Sequence, residues 1–181
     1  MALVTFTVAG AKDAKQLYKE GKALYDAKKY AQAFPIFKEA AAKGYKKAQY
    51  RLGRCYEKGR GVSANAQTAF MWYSKSASQD YAKAQCRVGL CYKDGIGVAK
   101  DRNKAFSWFL KAAKQDYAEA QYRVGKCYMK GKGTPVDNKK AKAWFTKAFK
   151  NAKGGDEIMQ KLKEKAKAGD EDAKAIIALS F

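Results

Sequence analysis

Apolar positions along this chain repeat at two spacings, one within a helix and one between copies of a longer pattern. Within residues 48–56 the apolar side chains fall on one stripe when successive residues are placed about 100° apart. The pattern Ala-Gln-x-Arg-[Leu/Val]-Gly-x-Cys-Tyr begins at Ala48 and again at Ala84 and Ala120, a period of 36 residues. A fixed period of this length predicts a helical solenoid, in which each unit buries its apolar face against its neighbours.

Each copy predicts two helices joined by a short loop. Helix A of the first complete copy covers about residues 47–58. Gly59-x-Gly61 ends this helix, because glycine adopts the left-handed cap conformation without strain. Helix B then begins after a side chain that can cap its first turn. The predicted N-cap residues of helix B are Asn65, Asp101 and Asp137.

Two columns of identical residues indicate packing between the helices. A glycine inside helix A costs about 1 kcal/mol relative to alanine, so its repetition predicts the close approach of another helix. A tryptophan on helix B recurs at a position predicted to face helix A, and we interpret this column as core. The columns are Gly53, Gly89 and Gly125, and Trp72, Trp108 and Trp144.

The period divides the chain into a regular array with irregular ends. The expected organisation is a tail at residues 1–11, helical repeats over residues 12–153 and capping helices at residues 154–181. The tail is expected to be disordered or to form a single strand, since apolar and polar residues alternate there. Pro35 is expected to bend the second helix of the degenerate first unit or to shift its start. The four units are residues 12–47, 48–83, 84–119 and 120–153.

These repeated residues resemble the Sel-one-like repeat family, a branch of the tetratricopeptide-like α/α solenoids. The resemblance implies an all-α, right-handed solenoid that acts as an adaptor or scaffold, with helix A on its concave surface and no catalytic residues. Asn65 and Thr68 depart from the family's Asp and Lys, which suggests relaxed capping and no change of fold. The second copy matches the family pattern at Ala84, Gly89, Tyr92, Gly95, Gly97, Val98, Asp101, Lys104, Ala105, Trp108, Lys111, Ala112 and Ala113.

The charge of the chain changes the range of partners to be considered. Lys and Arg number 38 against 17 Asp and Glu, for a formal net charge of +21. Such a chain attracts anionic partners, which include nucleic acid, acidic protein segments and lipid headgroups. No apolar run reaches 18 residues, so no transmembrane segment is predicted. Residues 1–10 lack the basic start of a secretory signal.

Enzymatic chemistry is not predicted. The chain has no histidine, no paired-carboxylate motif, no Walker-type phosphate loop and no Cys-x-x-Cys spacing. We therefore expect no catalytic residues, no cofactor and no metal site. The four cysteines are interpreted as buried, reduced thiols, which favours the cytoplasm or another reducing intracellular compartment.

Positions that differ between copies are better candidates for specific contacts with a partner than positions that are identical in all copies. On helix A the face opposite the predicted core holds the third, seventh and tenth positions of each unit. This face is predicted to form a groove that is aromatic, basic and locally apolar, which suits a peptide or an extended acidic segment. The candidate groove residues are Tyr50, Arg54, Cys86, Leu90, Lys93, Tyr122, Lys126 and Met129, with Glu57 at the tenth position of the first complete copy.

An arginine at the edge of the apolar stripe is identical in all three copies. Its guanidinium is a candidate anion-binding group, or it stacks on an aromatic ring of the next unit. Identity among the copies favours the packing role. The column consists of Arg51, Arg87 and Arg123.

Two classes of function follow from the sequence. The first is a non-enzymatic scaffold that binds another protein through the concave helix A surface within a larger assembly. The alternative is a basic accessory subunit of a ribonucleoprotein or another nucleic-acid-containing complex. The two differ in salt dependence, because neutralising several phosphates makes affinity for nucleic acid fall steeply as salt rises.

Overall fold

The computed structural model describes residues 12–181, which form ten α-helices and no strand. The all-α fold predicted from the periodicity is confirmed, whereas the expected tail at residues 1–11 lies outside the described residues. The helices, in chain order, are α1 (Ala14–Asp26), α2 (Tyr30–Ala42), α3 (Lys46–Lys58), α4 (Ala66–Ala77), α5 (Ala82–Asp94), α6 (Arg102–Lys114), α7 (Ala118–Lys130), α8 (Asn138–Phe149), α9 (Gly155–Lys167) and α10 (Glu171–Ser180).

Each helix packs on the helices before and after it in the chain, from α1 through α8. Helices α1, α3, α5 and α7 are the A helices of four units, and α2, α4, α6 and α8 are the B helices. At the carboxyl end α9 packs on α7 and α8, and α10 packs on α8 and α9. The last two helices therefore cover the apolar face that the final repeat would otherwise expose, as an end unit of a solenoid must.

Local capping chemistry sets the ends of the helices. The Asn65 side chain accepts a hydrogen bond from the Thr68 backbone N–H at 2.8 Å, and Asp101 and Asp137 cap α6 and α8 in the same way. Gly59 ends α3 in the left-handed conformation, with φ +63°. These caps confirm the predicted boundaries of helices A and B. Helix α2 begins at Tyr30 and includes Pro35, so the proline lies inside the helix and does not mark its start.

The repeated glycine of helix A faces an aromatic ring of helix B. A Cβ atom built on Gly89 would lie 2.6 Å from Phe109 Cε1, and one on Gly53 would lie 2.7 Å from Tyr73. Gly125 meets Phe145 at 2.6 Å in the same manner. The glycine leaves the space that this ring fills, which confirms the predicted close approach of the two helices.

The fully buried aromatic column of helix B is one residue beyond the predicted tryptophans. Each ring in this column is at most 1 % exposed, whereas the tryptophans are half-buried at the rim of the core, so their assignment to the core was wrong. Each tryptophan ring lies under a lysine ammonium group of its own helix, with Lys111 Nζ 4.5 Å from the Trp108 ring. The buried column is Phe37, Tyr73, Phe109 and Phe145.

Buried amides connect each unit to the next. Gln49, at the start of α3, accepts a hydrogen bond from the Gln79 side chain at 2.8 Å, across the turn that leads to α5. Gln85 accepts from Gln115 at 2.7 Å in the next unit. Asn151 takes the place of the third turn glutamine and donates to Gln121 at 3.3 Å. A buried amide needs such partners, so this series fixes the register between neighbouring units.

The glycine column makes a prediction about stability. We expect Gly89→Ala to destabilise the protein by about 1–3 kcal/mol, because the added methyl group overlaps the buried Phe109 ring. Helix propensity alone predicts the opposite sign, a gain of about 1 kcal/mol. Thermal unfolding followed by circular dichroism distinguishes the two.

Ser107→Ala, at an exposed position of α6, is the matched control and should change stability by less than about 0.5 kcal/mol. A melting temperature that rises in Gly89→Ala as well would show that the ring does not restrict this position.

Candidate functional site

The third position of helix A lies at the junction between units. The Tyr50 ring packs 5.6 Å from Tyr73 and 5.5 Å from Tyr81, measured between ring centroids. The Tyr122 ring packs 5.8 Å from Phe145 and is half-buried. These two tyrosines are therefore partly exposed and also pack against the core.

Cys86 does not belong to the groove surface predicted from the sequence. It is 3 % exposed and lies in a core cluster with Phe109, Ala120 and Val124, against which Tyr117 also packs. The face opposite the core in one unit is here covered by the next unit, so the expectation that Cys86 lines the groove was wrong.

The seventh and tenth positions are half-buried in the described structure. Leu90 packs against the cluster that contains Phe109, and Met129 packs against the cluster formed with the carboxyl-terminal helices. Lys126 extends over the Tyr122 ring at 5.8 Å. Arg54 buries its Nε atom, for which residues 12–181 supply no hydrogen-bond acceptor. Apart from the buried Cys86, the predicted groove residues are thus half-buried positions along the A helices.

The arginine column reaches back toward the preceding unit. The Arg51 guanidinium lies 5.3 Å from the centre of the Tyr25 ring, and that of Arg123 lies 5.8 Å from the Phe109 ring. Stacking on an aromatic ring was predicted, but the ring belongs to the unit before the arginine and not to the unit after it. Each arginine therefore joins two units and leaves part of its guanidinium at the groove.

At the first junction between complete repeats, a carboxylate fills the space beside the arginine. Glu57 accepts a hydrogen bond from the Tyr73 hydroxyl at 2.5 Å, and its Oε2 atom lies 3.4 Å from the Arg87 guanidinium. The Glu57 side chain is only 13 % exposed. Burial, followed by the hydrogen bond to Glu57, raises the pKa of Tyr73, so the hydroxyl keeps its proton and donates.

At the second junction the same space is a cavity of about 300 Å³. Phe109 and Ala105 contribute its apolar wall, and seven basic side chains and two acidic ones complete the lining. Burial, followed by the neighbouring charge of Lys130, lowers the pKa of Lys126, and the carboxylate of Asp172 acts in the opposite direction. The charged lining residues are Lys93, Lys100, Arg102, Arg123, Lys126, Lys130 and Lys132, with Asp94 and Asp172.

Sequence reasoning found three of these charged residues, namely Lys93, Arg123 and Lys126. It missed the other six, which include Lys100 and Lys132 on loops and Asp172 on α10, a helix that the period does not relate to the repeats; the remaining three are Asp94, Arg102 and Lys130. One signal was present in the sequence. The tenth position changes from Glu57 to Lys93 between copies, although the arginine that it faces stays the same.

The four cysteines are buried, and none forms a disulfide within the described chain. Burial raises the pKa of Cys55, Cys91 and Cys127 to about 11 and that of Cys86 to about 12, so these thiols are poor nucleophiles at neutral pH. Across residues 12–181, no group of three or more His, Cys, Asp or Glu side chains is arranged to hold a metal ion.

The repeat pattern matches a known family model. The Sel1 repeat model matches three consecutive segments, residues 46–81, 82–117 and 118–152, which together cover more than half of the chain. The chain belongs to the Sel1 repeat family. Sel1 repeats form a non-catalytic scaffold fold, and proteins built from them generally serve in protein interactions.

Two solved structures place this Sel1 repeat protein among its relatives. A Sel1 repeat protein from Oxalobacter formigenes is 38% identical with a TM-score of 0.72, over 76% of this chain and 56% of that one. The protein c5321, a protective antigen of uropathogenic Escherichia coli with an SLR fold, is 30% identical with a TM-score of 0.76, over 89% of this chain and 39% of that one. The chain thus spans little more than half of the first relative and less than half of the second.

A more distant likeness concerns the fold alone. Helicobacter pylori cysteine rich protein B has 21% identity and a TM-score of 0.52, over 78% of this chain and 96% of that one. A comparison with curated protein sequences finds no significant match. Within residues 12–181 of the Sel1 repeat chain, no helix combines the length and the apolarity needed to cross a membrane.

The first junction yields a stability prediction. We expect Glu57→Gln to lower the free energy of unfolding by about 1–3 kcal/mol, since it removes the charge that Arg87 faces in a mostly buried setting. Chemical denaturation measures this change. Glu39→Gln, at an exposed position of α2, should stay within about 0.5 kcal/mol of the parent. Equal effects of both changes would contradict a structural role for the Glu57 contact.

Proposed function

We propose that this Sel1 repeat protein binds another protein through the groove formed by its A helices. The observation that carries the proposal is the contrast between repeated and varied positions. The repeated glycine, aromatic and amide columns lie in the core, whereas the residues that differ between copies, except the buried Cys86, lie on the half-buried strip or line the cavity beside the repeated Arg123. A surface that varies while its support stays constant suits the recognition of one particular partner.

The chemistry of the strip supports a peptide-like partner segment. Tyr50 and Tyr122 are held by ring contacts and are only half-buried, so they lose little conformational entropy when a partner packs on them. Arg54 and Lys126 add positive charge beside these rings. Rigid aromatics with adjacent cations are typical anchors for an extended segment, and acidic residues in it would complement the cations.

The compartment forms part of the same proposal. The four buried thiols are unpaired with one another in the described chain, which supports the expectation of a cytoplasmic or other reducing intracellular setting. The alternative, a basic accessory subunit of a nucleic-acid-containing complex, is supported by the net charge of +21 alone. The experiment below therefore treats that alternative as one of its outcomes.

The test is affinity capture from a lysate of the native source, at low and moderate salt, with and without nuclease. We expect a protein partner to be retained after nuclease treatment and to be lost with the double variant Arg54→Glu and Lys126→Glu. Reversal of two charges at an interface lowers association rates, and we expect at least a tenfold weaker retention. Mass spectrometry identifies the retained protein, and titration with the purified partner gives the affinity.

The matched control reverses two charges on the B helices, Lys75→Glu with Lys147→Glu. Both ammonium groups lie over tryptophan rings on that surface, at 4.6 and 4.9 Å from the ring centres. Loss of the partner with this control and not with the groove variant would move the binding surface to the B helices. Loss of the captured protein on nuclease treatment would favour the nucleic-acid alternative.

A further inference from the structure

The two inner junctions of the array differ at two of the three positions that meet there. Glu57, Tyr73 and Arg87 come together at the first junction, where the carboxylate lies between a hydroxyl donor and a guanidinium. One period later these positions hold Lys93, Phe109 and Arg123, all of which line the cavity of about 300 Å³. The second junction therefore keeps the arginine and loses both the carboxylate and the hydroxyl.

The change leaves Arg123 without a carboxylate from the preceding unit. Its ion pair is made with Glu119, one turn earlier on the same helix. Its Nε atom is buried and finds no hydrogen-bond acceptor among residues 12–181. A buried donor without an acceptor is costly, and the Arg123 side chain, 27 % exposed, can still meet a ligand oxygen through the accessible part of its guanidinium.

The charges around the cavity also favour an anionic ligand. The two acidic lining residues are already engaged, Asp94 with Lys93 at 2.7 Å and Asp172 with Lys130. The remaining cations include Lys100, Arg102 and Lys126, for which no ion pair is present in the described chain. The wall of the cavity thus carries an excess of positive charge in a partly enclosed space, where electrostatic attraction is stronger than in open water.

We propose that this cavity takes an aspartate or glutamate side chain from an extended segment of a protein partner. The incoming carboxylate would meet Arg123 from the groove, in the way that the Glu57 carboxylate meets Arg87 within the chain. This inference rests on the proposed function and adds the chemistry of the partner. The two sites differ in one respect, since the first is satisfied internally and the second is open.

A carboxylate fits this site better than a nucleic acid does. At the first junction a carboxylate is held by Arg87, the equivalent of Arg123 one period earlier, and the cavity of about 300 Å³ is small for a run of phosphate groups. The apolar contribution of Phe109 and Ala105 suits the methylene groups of an acidic side chain.

The test uses a fluorescein-labelled peptide in which three glutamates alternate with glycines, with both termini blocked. The reference probe is the same peptide with glutamine in place of glutamate. We expect the glutamate peptide to raise fluorescence anisotropy on titration with the full chain and the glutamine peptide to bind at least tenfold more weakly. Inorganic phosphate and a single-stranded oligonucleotide serve as competitors.

The deciding variant is Lys93→Glu, which brings an internal carboxylate to Arg123 and reproduces the first junction. We expect this variant to bind the glutamate peptide at least tenfold more weakly than the parent and to have a higher melting temperature. The control Lys83→Glu makes the same change of charge at an exposed position at the other end of α5. It should lower the affinity for the glutamate peptide less than twofold. Equal losses in the two variants would overturn the proposal, since they would show a general charge effect.

A second variant tests the geometry by a gain of binding. Phe109→Tyr supplies the hydroxyl that Tyr73 supplies at the first junction, and one added hydrogen bond corresponds to about fivefold tighter binding of the glutamate peptide. No gain with this variant, no binding of the glutamate peptide, or stronger binding of the oligonucleotide would each overturn the proposal. If the Lys93→Glu variant still retained the partner found by affinity capture, this inference would be overturned and the proposed function would stand. Loss of that partner with the double variant Arg54→Glu and Lys126→Glu is the separate test of the proposed function.

Discussion

The array depends on the absence of a side chain at one position of each A helix. Gly53, Gly89 and Gly125 allow an aromatic ring of helix B to lie against the helix backbone, and that ring is the largest fully buried group of its unit. The degenerate first unit keeps the same arrangement, since Gly21 lies against the Phe37 ring. With the two helices fixed at this contact, the arginines, amides and groove residues of neighbouring units are brought to fixed places.

Local features of this fold were predictable, and features that depend on neighbouring units were not. Capping by Asn65 and the end of α3 at Gly59 follow from side chains within a few residues of each terminus. The recurrence of Trp108 at a position facing helix A predicted a core residue, but the adjacent Phe109 is the ring that is fully buried. Cys86 is covered by the next unit, which no helical projection of a single helix can show.

The candidate site shows the same division. The strip of varied residues on the A helices was found from the comparison of copies, because the copies share one backbone. The cavity also depends on the loops and on α10, whose Asp172 has no counterpart in the repeats. Its chemistry was nevertheless present in the sequence as one substitution, Glu57 to Lys93, opposite an unchanged arginine. In a repeat protein, a junction that satisfies itself can therefore serve as a reference for a junction that does not.

The amide series at the unit junctions has a consequence for the surface of the protein. Contacts such as Gln79 with Gln49 and Gln115 with Gln85 are made between neutral groups, so salt does not screen them, although Gln85 and Gln121 also donate to the carboxylates of Asp80 and Asp116. Much of the register between units is thus independent of the net charge of +21. Lysines can be gained or lost on the outside of such an array while the stacking of its units is preserved. The surface charge can therefore change to suit a different partner without unfolding the array.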